Sequence, residues 1–273
     1  MSIRNSPRRS GAVSKQQGSN VSQTSKTVLI LGASSAVAEA TARLYAAEGA
    51  RLLLVGRKAE QLEVIAADLK VRGAAVADIA LCDLGNVTPA SVAENVAVWT
   101  ERLGGVIDDI LIAYGVLGEQ SRAETDLADA AAVMQVNFTS AALWCLAVAG
   151  QLEQQRAGTL VVLGSVAGDR GRQSNYLYGA TKAGLDKLVQ GIAHRLSKVG
   201  ARAVIVKPGP IDTPMTAGMK KGGPMWSTPQ AVAAIVRRAA DRGGVTVYAP
   251  KRWKFIMLII RFLPDAIFHR SSL

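Results

Sequence analysis

The chain has 273 residues, 49% of them hydrophobic, and a formal net charge of +11. This length and apolar content are normal for one α/β domain with a sizeable core. The charge would suit nucleic acid, anionic lipid or a phosphorylated substrate. Because the sequence has no zinc-finger or aromatic RNA-binding motif, we expect no nucleic-acid partner.

The N-terminal segment and the cysteines bear on where the protein works. Residues 1–25 are basic and polar and lack the apolar core of a signal peptide, so we expect them to be disordered. No stretch reaches the ~18 uninterrupted apolar residues of a membrane span, so we expect a cytoplasmic protein with at most peripheral membrane contact. Cys82 and Cys145 stand in apolar settings without a CxxC motif, which predicts core residues and no disulfide or metal site.

Short apolar runs alternate with amphipathic stretches along the chain. Each apolar run predicts a buried strand and each amphipathic stretch a helix. Strand, helix, strand in regular order predicts a single domain over 26–250, with a doubly wound, parallel seven-stranded sheet and helices on both faces. Ligands of such sheets bind at the carboxyl ends of the strands. The predicted strands lie within 27–33, 51–57, 74–84, 108–115, 158–168, 201–209 and 244–250, and the helices within 36–50, 58–73, 89–105, 127–155, 176–200 and 228–243.

The first strand-to-helix turn is a candidate phosphate site. In "GASSAVA", Gly32 permits a tight turn, and Ser34, Ser35, Ala36 and Val37 lead into the helix. Free N–H groups and the dipole at a helix N-terminus stabilise a phosphate anion. The pattern has one glycine where a dinucleotide fingerprint has three, so an ordinary strand-to-helix turn remains the alternative.

The ends of the second and third strands bear on the nucleotide. A carboxylate after the second strand would bind the adenosine ribose hydroxyls, but this chain has Arg57. Positive charge there accommodates a 2′-phosphate, which favours NADP(H) over NAD(H). The alternative is a solvated arginine at a strand end. Asp83, followed by Leu84, is a candidate for the adenine amino group or a cap of the next turn.

Tyr178 and Lys182 form a candidate proton-transfer pair. They are four residues apart, so both project from one face of the predicted helix, whereas Tyr176 is six residues from the lysine. An ammonium beside a phenol lowers the pKa of the phenol, and a phenol with a tuned pKa can transfer a proton. The alternative is a surface tyrosine beside a solvated lysine.

These motifs occur together in one order. After the glycine turn come "AYG" (113–115), "VNFTS" with Asn137, "GSVAG" with Ser165, the Tyr178 and Lys182 pair, and "KPGPIDTPM" (207–215). This order resembles the short-chain dehydrogenase/reductase family over residues 26–250. The resemblance implies a Rossmann-type fold and an NAD(P)-dependent oxidoreductase. The glycine turn departs from the family by lacking two of its usual glycines.

The resemblance also implies roles for individual residues. Tyr178 would be the general acid, Ser165 would hydrogen-bond the substrate oxygen, and Lys182 would hold the nicotinamide ribose and lower the pKa of Tyr178. Asn137 would bind a water that relays protons to Lys182. Tyr176 would shape the substrate pocket or pack at the helix start. Residues expected to border the nucleotide are Ala113, Tyr114 and Gly115 on the adenosine side, and Pro208, Gly209, Ile211 and Thr213 at the nicotinamide.

The C-terminal segment, residues 251–273, combines apolar, aromatic and basic residues. It is too short to span a membrane and too apolar for a free surface. Such a segment suits a membrane interface, with a dimer or lid helix packed on the domain as the alternative. We expect the membrane surface to contact residues 251–270.

The tail and three motifs also resemble a subgroup of the family, the reductases of polyprenyl-phosphoryl keto-pentoses in bacterial arabinan precursor synthesis. The motifs are "AYGVLGEQ", "GSVAGDRGRQSNYLYGATKAGLD" and "KPGPIDTPM". This resemblance implies a lipid-linked keto-sugar substrate and a flavin-dependent oxidase as a partner, and it is compatible with a homo-oligomer. The alternatives are a soluble carbonyl or 3-oxoacyl reductase and a cofactor-sensing protein without turnover.

Overall fold

The computed structural model describes residue 1 and residues 25–271. Its centre is one seven-stranded sheet in the order β3-β2-β1-β4-β5-β6-β7, in which every pairing is parallel. The predicted fold class is confirmed. The strands are β1 Thr27–Leu31, β2 Arg51–Gly56, β3 Val76–Leu81, β4 Asp109–Ile112, β5 Thr159–Leu163, β6 Arg202–Pro208 and β7 Thr246–Ala249.

The helices connect and cover these strands. All six predicted helical stretches form helix, with 127–155 divided between α5 and α6, and the short helices α4 and α10 were not predicted. Within the described residues the helices are α1 Ala36–Ala47, α2 Ala59–Val71, α3 Pro89–Arg102, α4 Gln120–Thr125, α5 Leu127–Met134, α6 Ala141–Gln155, α7 Tyr176–Leu196, α8 Pro229–Arg242, α9 Arg252–Phe262 and α10 Asp265–Phe268.

The long helical pattern 127–155 is not one regular α-helix. A π-helical turn, Gln135–Ser140, joins α5 to α6. By length and composition this is the one helix in the described part of the chain that could cross a membrane. Its buried side chains, including Trp144 and Val148, belong to the core beside the sheet.

Two layers of apolar side chains enclose the sheet. Helices α3, α6 and α7 pack on one face, where Trp99 and Trp144 stack with ring centroids 5.2 Å apart. Helices α1, α2 and α8 pack on the other face. Because the central strands are covered on both sides, they are continuous apolar runs rather than alternating ones.

The strand order reverses between β1 and β4, and this reversal positions the site. Leu31 at the end of β1 pairs with Val55 of β2 on one side and Ile112 of β4 on the other. The chain leaves these strands in opposite directions, which opens a crevice above their carboxyl ends.

The two ends of the chain differ in what the structure describes. Residues 1–25, for which disorder is a prediction from the sequence, lie almost entirely outside the described residues. Of the predicted tail, residues 251–271 are described and form α9 and α10. Trp253, Met257 and Ile260 of α9 are buried in a third apolar cluster with Val166.

Candidate active site

The turn after β1 is built for close approach of a ligand to the backbone. Gly32 has φ of 86°, and a Cβ there would lie 2.7 Å from the Cβ of Tyr114. A side chain at position 32 would therefore be strained and would clash. The first amides of an α-helix have no partners within the helix. Ser35, the N-cap of α1, makes no side-chain hydrogen bond to them, so these amides are available to a ligand.

The two alanines in place of family glycines are explained by the backbone. Within the described residues, Arg156 is the one non-glycine with positive φ. Ala36 and Ala38 thus have ordinary helical conformations in the first turn of α1. Alanine satisfies the backbone there, and its small side chain still permits close packing.

A cavity of about 490 Å³ lies above the β1–β4 crevice. It runs from Arg57 and Gln61 at one end to Tyr178 and Thr213 at the other, which fits an elongated ligand with a phosphate at the helix N-terminus in its middle. Sixteen predicted residues line it: Gly32, Ser34, Ser35, Ala36, Val37, Arg57, Asp83, Leu84, Ala113, Tyr114, Gly115, Tyr178, Lys182, Pro208, Ile211 and Thr213.

The adenosine end of this cavity presents a cation at its rim. The Arg57 side chain is 71% exposed, and its Nη1 lies 3.9 Å from Asp83 Oδ2. Asp83 also accepts a hydrogen bond from the Gly85 amide at 3.1 Å. An exposed pair at this distance is weak, so the guanidinium remains available to an anion. Tyr114 packs beside Gly32, and its hydroxyl lies 2.9 Å from Ser140 Oγ.

The sheet and α7 bring Ser165, Tyr178 and Lys182 together. Ser165 follows β5 and begins a 3-10 turn, Val166–Asp169, that packs against α7. Lys182 is 4% exposed, and its Nζ donates to the Leu163 carbonyl at 3.3 Å and lies 5.7 Å from the Tyr178 ring centroid.

The protonation of this pair differs from the expectation. Burial raises the pKa of Tyr178, and a hydrogen bond with Ser165 opposes the rise without cancelling it. Burial also lowers the pKa of Lys182 to about 8. The expected lowering of the Tyr178 pKa is therefore wrong for this site without its ligands, because desolvation of the phenol outweighs the hydrogen bond with Ser165. A neutral phenol at neutral pH is a proton donor.

Asn137 lies in the π-helical turn and is 1% exposed. Its side-chain amide donates to the Val116 carbonyl at 2.7 Å and accepts from the Val116 amide at 2.8 Å. A Cβ on Gly115 would lie 2.9 Å from Asn137 Oδ1 and 3.4 Å from Lys182 Nζ. Asn137 thus anchors the loop after β4 close to Lys182, and the water relay stays a prediction.

A second cavity of about 290 Å³ also has Tyr178 in its wall. One part of its lining is polar and includes Asn175, whose buried Oδ1 has no hydrogen-bond partner among the described residues. Another part is apolar and includes Val133, Leu177 and Met219. Tyr178 therefore lies between a large elongated cavity and a smaller mixed one.

Two residues near the candidate site, Gly209 and Tyr176, line neither cavity. Gly209 does not line the nucleotide cavity, because the indole of Trp253 covers it and occupies the space of a Cβ. The expected nicotinamide contact of Gly209 stays a prediction. Tyr176 is 45% exposed, and its hydroxyl donates to Glu124 at 3.1 Å; it packs at the helix start and does not line either cavity.

A buried ionic cluster joins the turn after Ser165 to α7, the helix that carries Tyr178. Lys207 at the end of β6 donates to Asp169 and, at 3.0 Å, to Asp186 of α7. Tyr248 of β7 donates to Asp169 at 2.9 Å. The side chains of Lys207, Asp169 and Asp186 are 3%, 2% and 10% exposed. The cluster ties the turn after Ser165 and the helix of Tyr178 to the edge of the sheet.

Several cavity residues were not predicted. Those at strand ends, Gly56, Cys82, Leu163 and Gly164, follow from the rule that ligands bind at the carboxyl edge of the sheet. Cys82 is half-buried and packs against the core as well as lining the cavity, whereas Cys145 is buried as predicted. Glu39 and Gln61 lie on helices and carried no sequence signal. The others are Gly85, Val116, Val136, Pro214 and Met215.

Comparison with known proteins agrees with this architecture. The family model described as short chain dehydrogenase matches residues 26–223. The chain belongs to the short-chain dehydrogenase family. It is an NAD(P)-dependent oxidoreductase with a Rossmann-like fold.

Individual relatives from this family cover most of the chain. An uncharacterized oxidoreductase of Streptomyces coelicolor is 36% identical over 246 residues, which are 90% of this chain and 95% of the relative. An uncharacterized oxidoreductase of Mycobacterium tuberculosis is 35% identical over 249 residues, 89% of this chain and 96% of the relative. The crystal structure of a levodione reductase is 29% identical, with a TM-score of 0.72 over 82% of this chain and 96% of that one.

The residues present fit the family's nicotinamide nucleotide. The glycine turn leaves no room for a Cβ, and the first amides of α1 have no partner within the helix. The cavity extends from the cation of Arg57 at one end to the half-buried phenol of Tyr178 at the other. When bound, the nucleotide would supply the hydride, and the Tyr178 phenol and the buried Lys182 side chain line its cavity.

Proposed function

We propose that the chain is an NADP(H)-dependent reductase that converts the 2-keto group of a polyprenyl-phosphoryl pentose into the alcohol, giving the arabinose epimer. In this it would be similar to decaprenylphosphoryl-2-keto-ribose reductase. The observation that carries the proposal is the position of Tyr178 in the walls of both cavities. A carbonyl in the smaller cavity would face a nucleotide in the larger one across this hydroxyl.

The roles of the catalytic residues follow from their environments. Tyr178, whose pKa burial raises above its ordinary value of 10 so that the phenol stays protonated at neutral pH, gives its proton to the carbonyl oxygen as the carbonyl carbon accepts a hydride. Ser165 hydrogen-bonds the same oxygen and stabilises its developing charge. Lys182, with a pKa of about 8, returns a proton to Tyr178. The products are the alcohol and the oxidised nucleotide, with one proton taken from solvent.

The lining of the smaller cavity supports a polyhydroxylated substrate. Glu119, Gln120, Ser174 and Asn175 contribute polar groups, and the unpartnered Asn175 Oδ1 is an acceptor for a sugar hydroxyl. A buried acceptor without a partner costs stability, and a ligand donor would remove that cost. The apolar wall next to these groups suits the carbon skeleton or the start of a prenyl chain.

The charge at the nucleotide rim supports the phosphorylated nucleotide. Arg57 is the exposed cation where a 2′-phosphate would lie, and its contact with Asp83 is long. A guanidinium matches the geometry of a phosphate. A 2-keto sugar substrate also requires an oxidation that makes it, so we propose that a flavin-dependent oxidase supplies the substrate.

The test compares three substrates with both nucleotides. The substrates are a short-prenyl phosphoryl 2-keto-pentose, the keto-pentose phosphate without the prenyl group, and a 3-oxoacyl thioester, and the readout is loss of reduced-nicotinamide absorbance. We expect kcat/KM to be highest for the prenylated sugar with NADPH, by about 100-fold over the thioester. Highest activity on the thioester would replace the proposal with a soluble 3-oxoacyl reductase.

Asn175 provides a sharper test of the sugar-binding cavity. Asn175→Ala should lower kcat/KM for the keto-pentose by about tenfold, since one hydrogen bond is lost, and leave the thioester unaffected. The matched control is Gln173→Ala, since Gln173 is an exposed amide in the same loop. Equal effects of the two substitutions would contradict sugar binding at Asn175.

A further inference from the structure

We infer that the outer face of α9 docks on an anionic lipid surface. Four large apolar side chains on this helix are exposed to solvent: Phe255 by 60%, Leu258 by 53%, Ile259 by 69% and Phe262 by 76%. Their spacing of i, i+3, i+4 and i+7 places them along one stripe of the helix. We name this stripe the α9 apolar face.

The opposite side of α9 is fixed to the enzyme. Trp253, Met257 and Ile260 are 5%, 0% and 7% exposed and pack against Val166, the residue after Ser165. The helix therefore has a buried side and an exposed apolar side, and the exposed side has no neighbour within the described part of the chain. A surface helix that only covers a core has a polar outer side, whereas the outer side of α9 is apolar.

Arg170 holds the end of α9 in this orientation. Its guanidinium donates to the carbonyls of Ile260 at 2.6 Å and Leu263 at 2.5 Å and pairs with Asp265 at 2.7 Å. It also stacks on the Phe268 ring, 3.9 Å from the centroid. Because Arg170 belongs to the loop between Ser165 and Tyr178, the α9 apolar face is rigidly connected to the catalytic turn.

The charges around the α9 apolar face select the partner. Lys251, Arg252, Lys254 and Arg261 are exposed, and α9 contains no acidic residue. At 3.6 residues per turn, Arg252 lies on one flank of the stripe and Lys254 and Arg261 on the other. None of the four forms an ion pair with any described residue. Apolar residues flanked by cations fit the boundary between acyl chains and anionic headgroups.

A second copy of the chain is a poorer occupant. Two α9 faces packed against each other would bring four uncompensated cations from each copy together, which costs free energy in a desolvated interface. The four apolar side chains also offer less than the roughly 800 Å² per partner that a stable interface buries. An anionic membrane supplies both an apolar acyl-chain region for the four side chains and negatively charged headgroups for the cations.

Contact of α9 with lipid would serve the proposed function, on which it rests in part, since a polyprenyl substrate resides in a lipid bilayer. The enzyme would sit on the membrane with α9 in the headgroup region. The helix that contacts the lipid is then the one whose inner side supports the Ser165 turn.

The experiment is flotation of the full-length protein with vesicles. One set contains equal parts of phosphatidylglycerol and phosphatidylcholine, and the other contains phosphatidylcholine alone. We expect binding to the anionic set, weakened by salt because the cations contribute. Ile259→Ser combined with Phe262→Ser should reduce the vesicle affinity by at least about tenfold. The matched control is Val64→Ser with Val71→Ser, two valines of α2 that are 70% and 89% exposed.

Two double substitutions of basic residues by glutamate test the contribution of charge to vesicle binding. Lys254→Glu with Arg261→Glu should abolish the preference for anionic vesicles, whereas Lys70→Glu with Arg238→Glu, exposed cations on α2 and α8, should keep it. Three results would overturn the inference: no flotation of the unaltered protein, equal losses in the Ile259 and Phe262 variant and its valine control, or loss of a dimer in sedimentation velocity with unchanged flotation. NADPH oxidation with the keto-pentose phosphate, measured without vesicles, separates a failure of lipid docking from a failure of the reductase proposal.

Discussion

Replacing Lys182 by methionine should stabilise the protein at neutral pH while removing its activity. The lysine is 4% exposed, and burial lowers its pKa from the ordinary 10.5 to about 8. At about 1.4 kcal/mol for each pKa unit, the difference of about 2.5 corresponds to a stability cost of about 3 kcal/mol for holding the ammonium charged. Methionine has a similar length without the charge.

The expected gain is smaller than this cost. The substitution loses the hydrogen bond from Lys182 Nζ to the Leu163 carbonyl, 3.3 Å long, which contributes about 1 kcal/mol. The net gain at pH 7 is therefore about 2 kcal/mol, and the melting temperature should rise by about 4–8 °C for a domain of this size. A functional group that destabilises its own fold is a common trade-off in active sites.

The stability difference between Lys182→Met and the unaltered protein should depend on pH. Between pH 8 and 10.5 the unfolded chain binds the lysine proton more strongly than the native protein does, so the stability of the unaltered protein rises with pH in this window. The advantage of Lys182→Met should shrink from pH 8 upward and disappear as pH approaches 10.5. Thermal unfolding followed by circular dichroism from pH 7 to 10 measures this. The control is Lys187→Met on the exposed side of the same helix, which should show no such trend. A variant that is less stable at pH 7, or whose advantage does not change with pH, would refute the reasoning.

Three further substitutions test the nucleotide site and its support. Arg57→Asp should weaken NADPH binding by about tenfold or more and leave NADH binding unchanged or improved, measured by fluorescence titration; equal losses for both nucleotides would argue against a 2′-phosphate contact. Gly32→Ala should lower the affinity for either nucleotide more than tenfold, since a Cβ would lie 2.7 Å from Tyr114 Cβ. Lys207→Met should cost about 3–5 kcal/mol in urea unfolding by leaving two buried carboxylates unpaired, whereas Lys220→Met, an exposed control, should cost little.

The sheet could be predicted because its signal is local and periodic. Every strand is a short apolar run, and the regular alternation with amphipathic helices leaves few topologies. The same topology brings the strand ends together, so most of the nucleotide cavity followed from residues such as Gly32, Arg57 and Asp83. The absence of two family glycines did not affect the prediction of the nucleotide site, because positions 36 and 38 have ordinary helical backbone.

The features that could not be predicted depend on contacts between distant segments. Gly209 has the expected sequence context, but Trp253, more than 40 residues later, covers it. The π-helical turn around Asn137 has the same apolar pattern as an α-helix, so periodicity does not reveal it. The raised pKa of Tyr178 depends on how deeply the fold buries the phenol, which a four-residue spacing does not contain.

The buried ionic cluster that joins the turn after Ser165 to α7 is of the same kind. Asp169, Asp186, Lys207 and Tyr248 come from four elements and are separated by up to 79 residues. None of these residues has a sequence pattern that distinguishes it from an ordinary polar side chain. Only the folded chain shows that Lys207 lies between two carboxylates.

Tyr178→Phe tests the assignment of the proton donor most directly, because it removes the hydroxyl of the residue that lines both cavities and keeps the ring. NADPH affinity and turnover are measured on the same preparation, with Tyr176→Phe as the control because that hydroxyl bonds Glu124 outside both cavities. We expect Tyr178→Phe to bind NADPH within about threefold of the unaltered protein and to lose turnover by at least about 1,000-fold, while Tyr176→Phe keeps both. Turnover that survives in Tyr178→Phe would contradict the assignment of the proton donor and, with it, the proposed reaction.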